Sequence, residues 1–322
     1  MYAARMPQAS TVTLGFTVFR PETAPFASRA MEGHDLVALE EPRTPGFEEM
    51  LAGEFPIDEY LMLTDFEFPE YAAAQCRTLQ ALHARGAAVL QVHPWMDELA
   101  AIHEFFAAGN GPGDIPTGGR AWAVYARERK WSAKLLAFYK AAGRKDFEGI
   151  LDAVNDFAMA DAAKISDMDR DRAAALAGLL PGRGRAYVEC GAIHQDMVGL
   201  MIRALGHGRV RTIHLMEEVC LTRHGRRRLI PPGDILTFRH LLGAPRDRAV
   251  ESLLAARAVV YNRLMEKEER FDSASPYPHM DAEALVLQIV GGLGTEQCRD
   301  LFGRIRHLSV SESLSLALGK RN

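Results

Sequence analysis

Five short apolar runs, each rich in β-branched, aliphatic or aromatic residues and most of them followed by a helix-forming stretch, constrain this chain more than any other feature. Thr11 to Phe19 (TVTLGFTVF) ends at Arg20-Pro21-Glu22, where proline stops a ladder. Asp35-Leu36-Val37-Ala38-Leu39 gives way to Glu40-Glu41-Pro42, and Ala87 to Val92 gives way to His93-Pro94. Ala186 to Cys190 runs into Gly191-Ala192-Ile193-His194, and Arg209 to Leu215 is the fifth run. Helical patterns cover Ala24 to Glu32, Pro69 to Arg85 with Gly86 closing it, and Gln195 to Leu205. Strands separated by helices pair in parallel and are covered on both faces. The expected fold is therefore α/β: a mostly parallel sheet flanked by helices.

The rhythm changes twice. Between Asp97 and Leu180 apolar residues recur three and four apart in Leu99 to Phe106, Trp131 to Tyr139 and Phe147 to Ala163, interrupted by Gly109-Asn110-Gly111-Pro112-Gly113. This predicts a helical insertion over about residues 97–180, inside an α/β domain of residues 1–222. Further on, Arg223, Arg226, Arg227 and Arg228 precede a Pro-Pro-Gly turn, and Arg246 to Arg270 is rich in both charges. A mainly helical C-terminal region over 223–322 is expected. Its charged amphipathic helix suits a second copy of the chain, so a homodimer through the C-terminal helices is the expected assembly.

Composition narrows the partners. The formal net charge of −4, with both signs interspersed, gives no general attraction to nucleic acid or to an anionic membrane. Cys76, Cys190, Cys220 and Cys298 form no C-x-x-C pair, which points away from a zinc ribbon or disulfide framework and toward a reducing, cytoplasmic setting. Met1 to Ser10 lacks the apolar run of a signal peptide, and no stretch reaches the roughly 18 apolar residues of a membrane span. A small-molecule or peptide substrate is the partner expected.

Parallel strands deliver the residues after their C-terminal ends to one edge, where helix N-termini also aim their free N–H groups. That edge would collect Arg20 and Glu22, Glu40 and Glu41, His93, and Glu189 with His194. Carboxylates with imidazole suit Zn²⁺, Mn²⁺ or Fe²⁺, and equally serve general acid–base catalysis on their own. Consecutive carboxylates point apart; Glu40, which continues its strand directly, is the inward one, and Glu41 a cap or ion-pair partner. Cys190 has no neighbouring base to lower its pKa and reads as an inert buried thiol. The chain contains no G-x-G-x-x-G after its first strand, no G-x-x-x-x-G-K-[ST], no G-x-S-x-G and no H-E-x-x-H.

The order of these features resembles the superfamily that joins Tiki proteases, TraB/PrgY-type proteins, ChaN haem-binding proteins and erythromycin-esterase-like enzymes. Asp35-Leu36-Val37-Ala38-Leu39-Glu40 is similar to its Asp-x-Val-x-x-Glu strand, Arg170-Asp171 to its Arg-Asp helix start, and Gly191-Ala192-Ile193-His194 to its late Gly-x-x-His turn. The likeness spans about residues 11 to 215. It departs at the first motif, where Val18 in Gly15-Phe16-Thr17-Val18 takes the place of a histidine. The resemblance implies a hydrolase of ester or peptide bonds with Glu40, Glu189 and His194 catalytic, Glu40 and His194 holding a divalent metal, and Arg170 and Asp171 as a supporting charge pair. Val18 removes one of two metal-binding histidines from that pattern; Glu22 is one substitute. The alternative it implies is a binder of haem or of a small anionic molecule, with His194, His93 or Cys190 as axial ligand or Arg20 gripping the anion.

Overall fold

β1 (Thr11–Thr17), β2 (Leu36–Leu39), β3 (Ala88–Gln91), β4 (Arg185–Gly191) and β5 (Val210–His214) lie side by side in the order β3-β2-β4-β1-β5, every pair parallel. They belong to a computed structural model that describes residues 11–63, 68–143, 146–269 and 273–319. The reading of Met1 to Ser10 and the Arg270 end of the charged stretch lie outside the described residues. The α/β architecture expected from the alternating runs is the one found. β1 stops at Thr17 rather than Phe19, because the Val18 carbonyl turns back to accept the hydroxyls of Thr17 and Thr23, at 3.1 and 2.8 Å.

Helices α1 (Ala24–Met31), α2 (Phe47–Ala52), α3 (Ile57–Leu61) and α4 (Pro69–Ala84) lie in the connections that lead from β1 through β2 to β3. Helices α5 (Pro94–Ala107), α6 (Arg120–Ala142), α7 (Phe147–Leu179) and α8 (Asp196–Leu205) lie in those that return through β4 to β5. Because right-handed crossovers in opposite directions cover opposite faces, the two sets flank the sheet. The strand alternation confirms it. Val37, Leu39, Val89 and Tyr187 pack with Met31, Met50 and Leu79, whereas Leu36, Ala38, Val188 and Cys190 pack with Leu176, Met197 and Met201. β4 enters last between β1 and β2 and is buried from Ala186 to Gly191, which is why its sequence is a continuous rather than an alternating apolar run. Gly15 on β1 makes room for it: a Cβ there would stand 2.0 Å from the Tyr187 hydroxyl oxygen.

The chain divides into two compact units, Met1–Tyr125 with Asp167–Glu217, and Ala126–Ser166 with Glu218–Asn322. The helical stretch over 97–180 is thus shared between the units rather than forming one body. The second unit contains α9 (Glu217–His224, its first residue excepted), α10 (Pro232–Leu241), α11 (Arg248–Leu264), α12 (Pro278–Gly291), α13 (Thr295–Ile305) and α14 (Val310–Ala317). Its core joins Ile150 and Leu151 of α7 to Val259, Val260, Val286 and Phe302. The helix expected to dock a second copy therefore spends Ala255, Ala256, Val259 and Val260 on this unit's own interior. Arg223, though exposed, is bonded within this unit, to Asp281 at 2.8 Å, and is set over Tyr277. Among the described residues no helix is long and apolar enough to cross a membrane.

Candidate active site

β2 and β4 are neighbours in register, Ala38 opposite Val188, so the residues that follow Leu39 meet those that end β4. Glu40 accepts the Gly191 N–H at 2.8 Å and Arg172 Nη1 at 3.0 Å on Oε2, while its Oε1 lies 3.0 Å from His194 Nε2. His194 follows from the turn Gly191-Ala192-Ile193-His194, closed by its own N–H on the Gly191 carbonyl at 3.0 Å. Its other nitrogen, Nδ1, bonds to Asp169 Oδ1. Arg172 also donates from Nε to the Val92 carbonyl at 2.8 Å, tying the end of β3 to Glu40. The cluster is nearly sealed, with side-chain exposures of 9% for Glu40, 10% for His194 and 4% for Arg172.

These contacts set the charges. Burial by itself would raise the Glu40 carboxyl, but His194, Arg172 and the Gly191 N–H together pull it down to about 2. Burial by itself would lower His194, yet Glu40 and Asp169 on its two nitrogens raise it to about 10. Asp169 is raised by burial against the pull of His194. The resting site is an imidazolium held between two carboxyl groups, with a guanidinium behind one of them.

Of the residues expected at this edge, Glu40 and His194 come together. Glu189 does not join them, because strand alternation turns it to the opposite face of the sheet, where Gln75 Nε2 and the Tyr71 hydroxyl donate to it at 2.9 and 3.3 Å. It reaches Glu40 only through the Glu40 N–H, at 3.3 Å. Burial first, then the charges of Glu41 and Glu40, push the Glu189 carboxyl up to about 8. Glu41 takes the Gln91 amide at 3.1 Å, and burial raises it as well. Glu22 lies in the single turn Pro21–Thr23 after β1. Arg20 sets its guanidinium 4.0 Å above the Phe68 ring, and its Nη1 is buried with no hydrogen-bond partner among the described residues. His93 caps α5, its Nδ1 accepting the Met96 N–H at 3.4 Å. Val18, in the place of the expected first histidine, is 43% exposed.

The expected pair Arg170 and Asp171 does not form. Arg170 binds Asp167, and Asp171 binds Arg120 at 3.0 Å. The site instead takes the residues on either side, Asp169 and Arg172, which stand one helical turn apart on the face of α7 that also carries Ala173 and Leu176 into the core. That spacing was available in the sequence: a charged pair sharing the apolar stripe of a helix has to find partners in the interior.

No group of three or more His, Cys, Asp or Glu side chains among the described residues is placed to hold a metal ion. Glu40 and His194 direct their donor atoms at each other, and both His194 nitrogens are engaged by carboxylates. Cys190 is fully buried with its thiol pushed far up by that burial, so it offers no thiolate.

No protein-family model matches the chain, and no solved structure matches it. It is similar to a protein of Archaeoglobus fulgidus described as uncharacterized, 28% identical over 290 residues that make up 90% of this chain and 97% of the archaeal one. The likeness therefore runs through both compact units.

Proposed function

We propose that the chain is a hydrolase of an ester or amide bond, working without a metal at the C-terminal edge of the sheet. The observation that carries this reading is His194, gripped by Glu40 on one nitrogen and Asp169 on the other, at the C-terminal edge of the parallel strands, where α/β folds place their chemistry. Asp169 holds the ring so that Nε2 presents the proton, as the third member of a triad does. Substrate and water entering between Nε2 and Oε1 separate the ion pair, and each partner then returns toward its ordinary proton affinity. Glu40 takes a proton from the attacking water as the new C–O bond forms. His194 gives its Nε2 proton to the departing oxygen or nitrogen as the old bond breaks. Proton transfer from Glu40 back to His194 restores the resting pair, so no proton is gained or lost. Arg172 and the Gly191 N–H keep Glu40 in place throughout.

A second reading, binding of a small anionic molecule without turnover, is favoured by one observation, the buried unpaired Nη1 of Arg20. One experiment separates the two. A panel of chromogenic esters and anilides is turned over by the wild type, and Glu40→Gln or His194→Gln lowers kcat/KM by about 10²–10⁴, the usual worth of a positioned acid or base. Equal rates in wild type and both variants, or no turnover of any substrate, would contradict the hydrolytic reading.

A further inference from the structure

We propose that His93 is a further catalytic residue of this site, a neutral imidazole whose Nε2–H donates to the carbonyl oxygen of the bound ester or amide as that oxygen becomes anionic; this rests on the hydrolytic reading above. His93 follows β3 directly and caps a helix of 14 residues, so it stands at the same sheet edge as Glu40. Its Nδ1 accepts the Met96 N–H at 3.4 Å. A ring nitrogen that accepts carries no proton, and the proton of the neutral ring must then sit on Nε2. Adding a second proton would set Nδ1–H against the Met96 N–H.

The surroundings oppose that second proton as well. Burial acts first, leaving His93 6% exposed, and the cations Arg172 and His194 add to it, against the attraction of Glu40. Arg172 is fastened to the Val92 carbonyl, one residue before His93. A charged His93 would compete with His194 for Glu40 and disarm the base, whereas a neutral one leaves Glu40 free to accept from water. Hydrogen-bond contacts among the described residues engage only Nδ1 of this ring, and in the proposed role Nε2 is the donor that meets the substrate. The proton stays on Nε2 during the reaction. What changes is the strength of the bond it makes as charge gathers on the oxygen, the arrangement that contributes most to acyl transfer.

His93→Asn keeps an acceptor near Nδ1 and removes the Nε2 donor; His93→Gln places an amide N–H near Nε2. With a nitrophenyl ester, His93→Asn is expected to lower kcat by about 10²–10³ with little change in KM, and His93→Gln to recover about tenfold of that loss. Nitrogen NMR of the wild type is expected to show His93 as the neutral Nε2–H form between about pH 5 and pH 8. The proposal is overturned if His93→Asn keeps wild-type kcat while His194→Gln is inactive, or if His93 is an imidazolium at neutral pH. Wild-type rates in His194→Gln would instead remove the hydrolytic reading, and this role of His93 with it. The spectrum needs only wild-type protein, so a variant that fails to fold does not spare the proposal.

Discussion

His194 and Glu40 stabilise one another only while one is protonated and the other is not. His194 rises from an ordinary 6.5 to about 10, so the stability it contributes is complete below its ordinary value and is lost as the pH rises through about 10. Glu40 falls from 4.5 to about 2, so its contribution is present above its ordinary value and is lost as the pH falls through about 2. Glu189 has the opposite sign: raised from 4.5 to about 8, it keeps its proton in the folded chain and weakens the fold as the pH climbs across that window. Glu189→Gln is therefore expected to gain stability relative to wild type between about pH 5 and pH 8, read from urea midpoints at both ends. A difference that stays constant would show Glu189 ionised throughout. Arg172→Met leaves Glu40 with one donor fewer on Oε2 and the Val92 carbonyl with none from Arg172, a loss expected to cost about 3–5 kcal/mol in the same assay. Arg172→Lys should recover little, since one ammonium cannot serve both acceptors along a planar fork.

At the scale of elements, the strands were legible because Pro21, Pro42, Pro94 and Gly191 punctuate apolar runs, and punctuation is local chemistry. Sheet order was not, because β4 enters between β1 and β2 through tertiary packing that no local pattern encodes. The same gap hid the site. Glu40 and His194 are legible as strand-end residues, whereas Glu189, equally close to the end of its strand, is turned to the far face by strand alternation. Arg170-Asp171 fits the motif by residue type, but it is Asp169 and Arg172 that share the apolar stripe of α7 and so face the site. β1 and β4 allow a packing test. Gly15→Ala brings a methyl group against the Tyr187 ring and is expected to destabilise by about 1–3 kcal/mol, whereas an exposed glycine with open space, such as Gly113, should tolerate alanine at a fraction of that. Equal denaturation midpoints for the two variants would contradict the close approach of Tyr187 to β1.

At the scale of the molecule, α7 carries side chains into two separate cores, Ile150 into that of the helical unit and Leu176 into that of the sheet unit. Ile150→Ala and Leu176→Ala should each cost about 2–5 kcal/mol in denaturant unfolding, since each empties a fully buried position. Their kinetic effects should differ. Leu176 shares its stretch of helix with Asp169 and Arg172, so its loss lowers kcat, while Ile150→Ala leaves kcat of the folded enzyme unchanged. The whole account turns on the charge of one ring. Nitrogen NMR of His194 at neutral pH is its most direct measurement: both ring nitrogens protonated up to about pH 8, with the imidazolium lost in Glu40→Gln at lower pH than in wild type, is the result predicted. A single neutral tautomer at neutral pH, indifferent to Glu40, would contradict it.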